Sequence, residues 1–175
     1  MLSSYKKDFI SLAIINGVLK FGEFTLKSGR VSPYFFNLGN VSSGRTISSI
    51  GSYYAETIVR TSLKPDALFG PAYKGIPLVV TTAIALSDNH EINLSYAFNR
   101  KEEKDHGEGG KIIGKKIKGD VIIIDDVISS GASIREACEI CKSIGANPVG
   151  AAVSIDRQEI GSQKKSSTEE LEQEL

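Results

Sequence analysis

Val121-Ile122-Ile123-Ile124-Asp125-Asp126-Val127-Ile128-Ser129-Ser130-Gly131-Ala132-Ser133 runs from an apolar segment through two carboxylates into small, hydroxyl-bearing residues. Its leading β-branched aliphatics predict a parallel strand buried on both faces, because such strands show unbroken apolar runs rather than alternation. Behind the small residues, Ile134, Ala137, Cys138, Cys141 and Ile144 recur at helical spacing, so the loop opens onto a helix N-terminus. Free backbone N–H groups and the helix dipole both favour an anion at such a place. Gly131 lets the backbone approach closely, and Ser129, Ser130 and Ser133 supply hydroxyl donors. Asp125 and Asp126, expected just past the end of the strand, would repel a phosphate and so suit a neighbouring diol or a metal instead. Phosphate beside diol is the pattern of a ribose phosphate. The same residues also admit a plainer reading, an acid pair at a strand end followed by an ordinary helix cap.

A chain of 175 residues is long enough for a substantial core and is most simply one domain over residues 1–175. Its 21 basic and 21 acidic side chains cancel, which gives no electrostatic case for nucleic-acid binding. No apolar run approaches membrane-spanning length, and Lys6 and Lys7 followed by Asp8 do not make a signal peptide. The expected compartment is therefore the cytoplasm, with no membrane partner. Cys138 and Cys141 form a C-x-x-C, which invites a redox or zinc reading. Both lie on the apolar stripe inside the predicted helix, and the chain has no further cysteine, so core packing is the expectation.

Elsewhere, helical spacing predicts a helix from residue 5 to about 16 with Phe9, Ile10, Ala13 and Ile14 as its buried stripe. A loop-rich segment follows over 22–44, then a helix over 45–60 with Ile47, Ile50, Tyr54 and Ile58 on one face. Residues 67–70 read as a short strand, with Pro77 suited to the first turn of the helix behind it. Leu94, Tyr96 and Phe98 alternate as in a strand before a charged loop, and a last strand is expected over 149–155 after Gly145. Strands alternating with helices predict an α/β fold, a mainly parallel central sheet with helices on both faces. From Gly161 the chain is polar; Thr168 either caps a short helix ending near Leu175 or belongs to a frayed tail.

Three more segments hold candidate chemistry. Asn99-Arg100-Lys101-Glu102-Glu103-Lys104-Asp105-His106-Gly107-Glu108-Gly109-Gly110 sets cations ahead of glycines. Such a loop is either solvated surface or a lid placing Arg100, Lys101, Lys104 and His106 on a polyanion. Gly109 to Lys116 resembles a nucleotide-binding P-loop, but Lys116 stands where Ser or Thr is needed, which excludes a nucleotide hydrolase of that type. Phe69-Gly70-Pro71-Ala72-Tyr73-Lys74-Gly75 is a strand end entering a tight turn, either a simple connection or a second phosphate site formed with Lys74. Phe24-Thr25-Leu26-Lys27-Ser28-Gly29-Arg30-Val31-Ser32-Pro33-Tyr34-Phe35-Phe36-Asn37 interleaves aromatic rings with cations, which suits a flat aromatic anion as well as a core.

In order along the chain, FTLKSGRVSPYFFN, FGPAYKGIP, NRKEEKDHGEGG, VIIIDDVISSGASIRE and SIDRQE resemble the orotate phosphoribosyltransferase family of bacterial type. The DHGEGG string is the specific part, separating that family from relatives acting on purines or uracil. The resemblance implies the type I phosphoribosyltransferase fold with a small N-terminal hood. It implies that Lys27, Tyr73, Lys74, Arg100, Lys101, Lys104 and His106, with Asp125, Asp126, Val127, Ile128, Ser129, Ser130, Gly131, Ala132 and Ser133, bind phosphoribosyl pyrophosphate. Lys104, His106, Asp125 and Asp126 would be the catalytic members. Phe35, Phe36, Ser129 and Arg157 would hold orotate, and Mg²⁺ would be held mostly through substrate and water. It further implies a non-proline cis peptide at Ala72-Tyr73 and a homodimer in which each charged loop reaches over the partner's phosphate loop. Ser129 stands where many members have threonine, which keeps the hydroxyl. Members usually continue with another strand and helix, so the resemblance implies that these are missing beyond Leu175. The alternative is a ligand-sensing regulator on the same fold without catalysis. Such a protein would keep the phosphate loop but could dispense with the cationic segment, so the intact segment from Arg100 to Gly110 argues against it.

Overall fold

The computed structural model describes residues 2–26, 29–104, 110–114, 116–161 and 165–174, with backbone alone at 103, 104 and 110. Helix α1 (Ser4–Ile15) leads into β1 (Leu19–Thr25) and β2 (Val31–Phe36), an antiparallel pair. Then come α2 (Gly44–Val59), β3 (Ala67–Gly70), α3 (Gly75–His90), β4 (Ser95–Lys104) and β5 (Gly110–Gly114). The chain continues through β6 (Gly119–Ile128), α4 (Ala132–Ser143), β7 (Ala146–Asp156) and α5 (Ser167–Glu174). The central sheet has the order β5-β4-β3-β6-β7 and is parallel except for β5, which runs antiparallel to β4.

The apolar run of β6 explains the layering. Alternate side chains of a strand point to opposite faces. Ile122 and Ile124 join one core with Ile50 and Tyr54 of α2 and Leu78 and Leu86 of α3. Val121 and Ile123 join the other with Phe69, Ile134 and Cys138 of α4 and Leu171 of α5. Both faces are covered, as the sequence predicts for a parallel strand. No helix among the described residues is long and apolar enough to cross a membrane.

Several expectations need correction. The acid pair lies inside β6, which continues to Ile128 because β7 keeps pairing with it as far as the Ile128–Asp156 register. The segment read as loop-rich contains most of β1 and all of β2, whose interleaved polar residues conceal an exposed two-stranded ribbon. The cations read as a loop begin as the outer half of β4. The Leu94, Tyr96 and Phe98 alternation marks the less buried phase of that strand. Ala97 and Asn99 are buried beneath it, Ala97 in the same core as Phe69 and Ile117, while Tyr96 is exposed. In α1, Ile10 and Ile14 are exposed, whereas Ala13 is buried and Phe9 and Leu12 pack on the core.

The C-terminal segment forms α5, capped by Ser166 rather than Thr168. The Ser166 hydroxyl accepts the Glu169 N–H at 3.1 Å, and the Glu169 carboxylate accepts the Ser166 N–H at 2.7 Å, a reciprocal capping box. Leu171 is only 4% exposed. Leu171→Ala is expected to lower stability by about 2–4 kcal/mol in chemical denaturation, the ordinary cost of emptying a buried leucine site. A change within error would return this helix to a frayed tail.

Candidate active site

The chain leaves β3 on one side to form β4 and β5 and returns on its other side as β6. The carboxyl ends of β3 and β6 thus meet where the winding reverses, the usual ligand crevice of an open α/β sheet. A short turn and a helix follow each strand there: 71–74 and α3 after β3, 129–131 and α4 after β6. Two helix N-termini stand at one edge, each with a positive dipole end. At the second turn Gly131 has φ +77°, and a Cβ there would lie 2.8 Å from the Leu171 side chain. At the first, a Cβ on Gly75 would lie 2.8 Å from the Ile124 carbonyl oxygen. Backbone contact between α3 and β6 is what brings Lys74 to the carboxylates.

Asp125 and Asp126 are 6% and 8% exposed and turn to opposite faces of β6. The Ser133 hydroxyl donates to Asp125 Oδ2 at 2.7 Å, and the Asp126 N–H donates to Asp125 Oδ1 at 2.8 Å. Ser133, expected to offer its hydroxyl to a phosphate, therefore orients a carboxylate instead. Lys74 Nζ lies 2.7 Å from Asp126 Oδ2. Below the pair, the Tyr54 hydroxyl donates to the Asp125 carbonyl at 2.7 Å and meets Ser154 Oγ at 2.6 Å. Burial holds that phenol well above its ordinary range, so Tyr54 is a neutral strut between β6 and β7.

Burial also raises the pKa of Asp125, outweighing the hydrogen bonds from Ser133 and the Asp126 N–H. A folded-state pKa above the unfolded value means that the native state binds the proton more tightly. Stability then falls as pH rises from the ordinary carboxylate range through the folded pKa, and stays lower above it. Asp125→Asn is expected to gain in melting temperature relative to wild type between about pH 4 and about pH 7. Parallel melting curves across that window would contradict this.

The Ala72–Tyr73 peptide is cis. The Ala72 N–H donates to Asn99 Oδ1 at 2.8 Å, tying the turn after β3 to a buried residue of β4. Tyr73 is exposed, and Lys101 Nζ lies 5.4 Å from its ring centroid. Arg100 is half-buried on the same strand. Among the expected cations, Lys74 and Lys101 are thus brought to the crevice. Lys27 and His106 lie outside the described residues, and of Lys104 only the backbone, at the end of β4, is described.

At the end of β7 the Arg157 N–H donates to the Ile128 carbonyl at 3.0 Å, which sets Arg157 beside Ser129. Its guanidinium lies 4.7 Å from the Tyr34 ring centroid and donates to Ser32 Oγ at 3.0 Å and to Glu159 Oε1 at 2.9 Å. Arg30 pairs with the same Glu159 oxygen. Phe35 stacks on Phe24 with centroids 5.5 Å apart, whereas Phe36 turns into the core. Ser32, Tyr34, Asn99 and Glu159 lie in the candidate segments but carry no role of their own in the sequence reading, and Tyr54 reads there only as part of a buried helix face. The Ser32–Arg157 bond spans 125 residues, and Asn99 reaches Ala72 across 27, whereas Glu159 meets Arg157 only two residues away.

Cys138 and Cys141 are buried in the core formed with α4, and burial pushes the Cys141 thiol up to about 12 and raises that of Cys138. Both stay protonated near neutrality and unreactive. Replacing both by alanine should lower stability by a few kcal/mol at most and leave the turnover of folded protein unchanged. An inactive but folded double variant would overturn the packing assignment.

Residues 40–172 match the phosphoribosyl transferase domain family. The chain is 52% identical over 174 residues to orotate phosphoribosyltransferase of Photobacterium profundum, covering 99% of this chain and 82% of that one. The chain belongs to the orotate phosphoribosyltransferase family. A second relative in the family, the enzyme of Chromohalobacter salexigens, is 56% identical over 160 residues, 91% of this chain and 68% of its own. The crystal structure of the Francisella tularensis orotate phosphoribosyltransferase aligns with a TM-score of 0.84 at 43% identity, covering 95% of this chain and 80% of that one. The fold is therefore the type I phosphoribosyltransferase fold expected from the sequence.

Proposed function

We propose that this protein transfers the phosphoribosyl group of phosphoribosyl pyrophosphate to N1 of orotate, yielding orotidine monophosphate and pyrophosphate in pyrimidine nucleotide biosynthesis. The observation that carries the reading is the buried pair Asp125 and Asp126, set between Lys74 and the helix-opening turn at 129–131. In this reading the backbone N–H groups from Val127 and Ile128 through Ser129, Ser130, Gly131 and Ala132 to Ser133, with the hydroxyls of Ser129 and Ser130, take the ribose phosphate. The carboxylates of Asp125 and Asp126 accept the ribose hydroxyls. Tyr73 and Lys74, with Arg100, Lys101, Lys104, His106 and Lys27, receive the pyrophosphate. Phe35, Ser129 and Arg157 enclose orotate, with Phe36 supporting Phe35 from the core beneath.

Departure of pyrophosphate leaves an oxocarbenium-like ribose, so the chain's part is positioning and charge stabilisation rather than covalent chemistry. Lys74 moves from Asp126 to the leaving group as the ribose hydroxyls take its place on the carboxylate. Carboxylate oxygens are the hard donors Mg²⁺ accepts, but among the described residues no three metal-ligating side chains gather. Asp125 and Asp126 would therefore hold the ion through its water, the donor's pyrophosphate supplying the remaining oxygens. Bound there, Mg²⁺ contributes positive charge at the leaving group. The proposed working form is a cytoplasmic homodimer with shared sites.

Loss of orotate absorbance in the ultraviolet on adding phosphoribosyl pyrophosphate and Mg²⁺ tests the reading. Folded protein that binds the donor but never consumes orotate would be a ligand-sensing regulator instead.

A further inference from the structure

We infer that Glu159 is a positioning residue for the acceptor, holding Arg157 so that its Nη1–Nη2 edge faces the orotate carboxylate. The inference rests on the reading of Arg157 as the orotate-binding cation. A guanidinium has five N–H donors in one plane and grips a carboxylate with two of them along one edge. Glu159 Oε1 takes the Nε donor at 2.9 Å, which closes the Nε side to any other anion. Ser32 Oγ takes one Nη2 donor at 3.0 Å, and among the described residues Nη1 makes no hydrogen bond. The Tyr34 ring supports the plane from one face. The donors that remain are those of Nη1 and the second of Nη2, at the Nη1–Nη2 end.

Glu159 also joins two parts of the molecule. Arg30, just before β2, pairs with the same Oε1, so one carboxylate fastens the β1–β2 hairpin to the end of β7. The backbone of Glu159 is held in turn, its carbonyl accepting the Ser167 N–H of α5 at 2.8 Å. Two guanidinium groups against one carboxylate leave a single positive charge over, which matches a singly charged carboxylate ligand. Without Glu159 the two cations repel, and Arg157 is free to offer its Nε side in a different orientation.

The test is steady-state kinetics on Glu159→Ala, Glu159→Gln, Arg157→Ala and the Glu159→Ala/Arg157→Ala pair, with folding checked by circular dichroism. Glu159→Ala should raise KM for orotate about tenfold, with kcat and KM for phosphoribosyl pyrophosphate nearly unchanged, the pattern of lost acceptor binding. Glu159→Gln keeps an acceptor for Nε, and a smaller rise of about threefold is expected. In the Arg157→Ala background, removing Glu159 should add little, because the two act as a unit. An orotate KM that is unchanged in Arg157→Ala overturns the reading of Arg157 itself. A raised KM there with none in Glu159→Ala overturns only the positioning role, as does a rise in both substrates' KM values or additivity in the pair. Should the alanine variant not fold, Glu159→Gln decides alone: a rise confined to orotate supports the inference, and any other result sinks it.

Discussion

Asp126→Asn and Asp125→Asn are each expected to lower kcat/KM for phosphoribosyl pyrophosphate roughly ten- to a hundredfold while leaving a folded protein. A hydrogen bond to a charged group contributes about 1.5–3 kcal/mol, and each factor of ten corresponds to about 1.4 kcal/mol. The fold should survive because packing along β6 is carried by the residues before the acid pair, Val121 and Ile123 on one face and Ile122 and Ile124 on the other. The two variants should differ in kind. Asp126→Asn frees Lys74 from its ion pair, so part of the lost diol contact is offset by a cation released toward pyrophosphate. Asp125→Asn keeps Ser133 as a neighbour but removes the charge that burial disfavours. Its signature is lower activity together with equal or higher stability near neutrality. Near-normal turnover in both variants would remove the acid pair from the mechanism.

Mixing two dead variants should restore activity. Under the shared-site proposal, Lys104 of one protomer and Asp125 of the other complete one site, and two-fold symmetry makes the sharing reciprocal. Lys104→Ala and Asp125→Ala, each nearly inactive alone, are left to exchange subunits. About half of the dimers become mixed, and each mixed dimer has one site with both defects and one with neither. Activity should climb to about a quarter of the wild-type value by this symmetry argument. If mass spectrometry shows mixed dimers and no activity returns, the cationic strand serves its own chain.

The parallel sheet was legible because burial on both faces forces an unbroken apolar run, and Val121 to Ile124 is one. The helix after it was legible from its stripe, and Gly131 from its place before that stripe. What stayed hidden has a common physical cause. The β1–β2 ribbon is exposed on much of its surface, so no hydrophobic period marks it. The outer half of β4 carries cations because it leaves the core, and solvated strands look like loops. Ser133 could be seen as a hydroxyl at a helix start, but its hydrogen bond to Asp125 depends on where β6 ends. Asn99 acts through Ala72, and Glu159 joins neighbouring Arg157 to distant Arg30, pairings that only the fold brings together.

Strand β4 changes company along its length. Residues 95–98 pair with β3, whereas beyond them β5 alone accompanies β4, in a register that slips between Asn99 and Lys104. Mechanically this is a cantilever. Its root is clamped in the sheet, and its arm, bearing Arg100 and Lys101, has no strand beside it but β5 among the described residues, joined at Asn99 and again at Lys104. Such a beam is stiff in the plane of its hydrogen bonds and bends most easily across its thin face. Asn99 sits at the root and grips the Ala72 N–H, so the bending moment from a load on the arm passes to the turn that carries Tyr73.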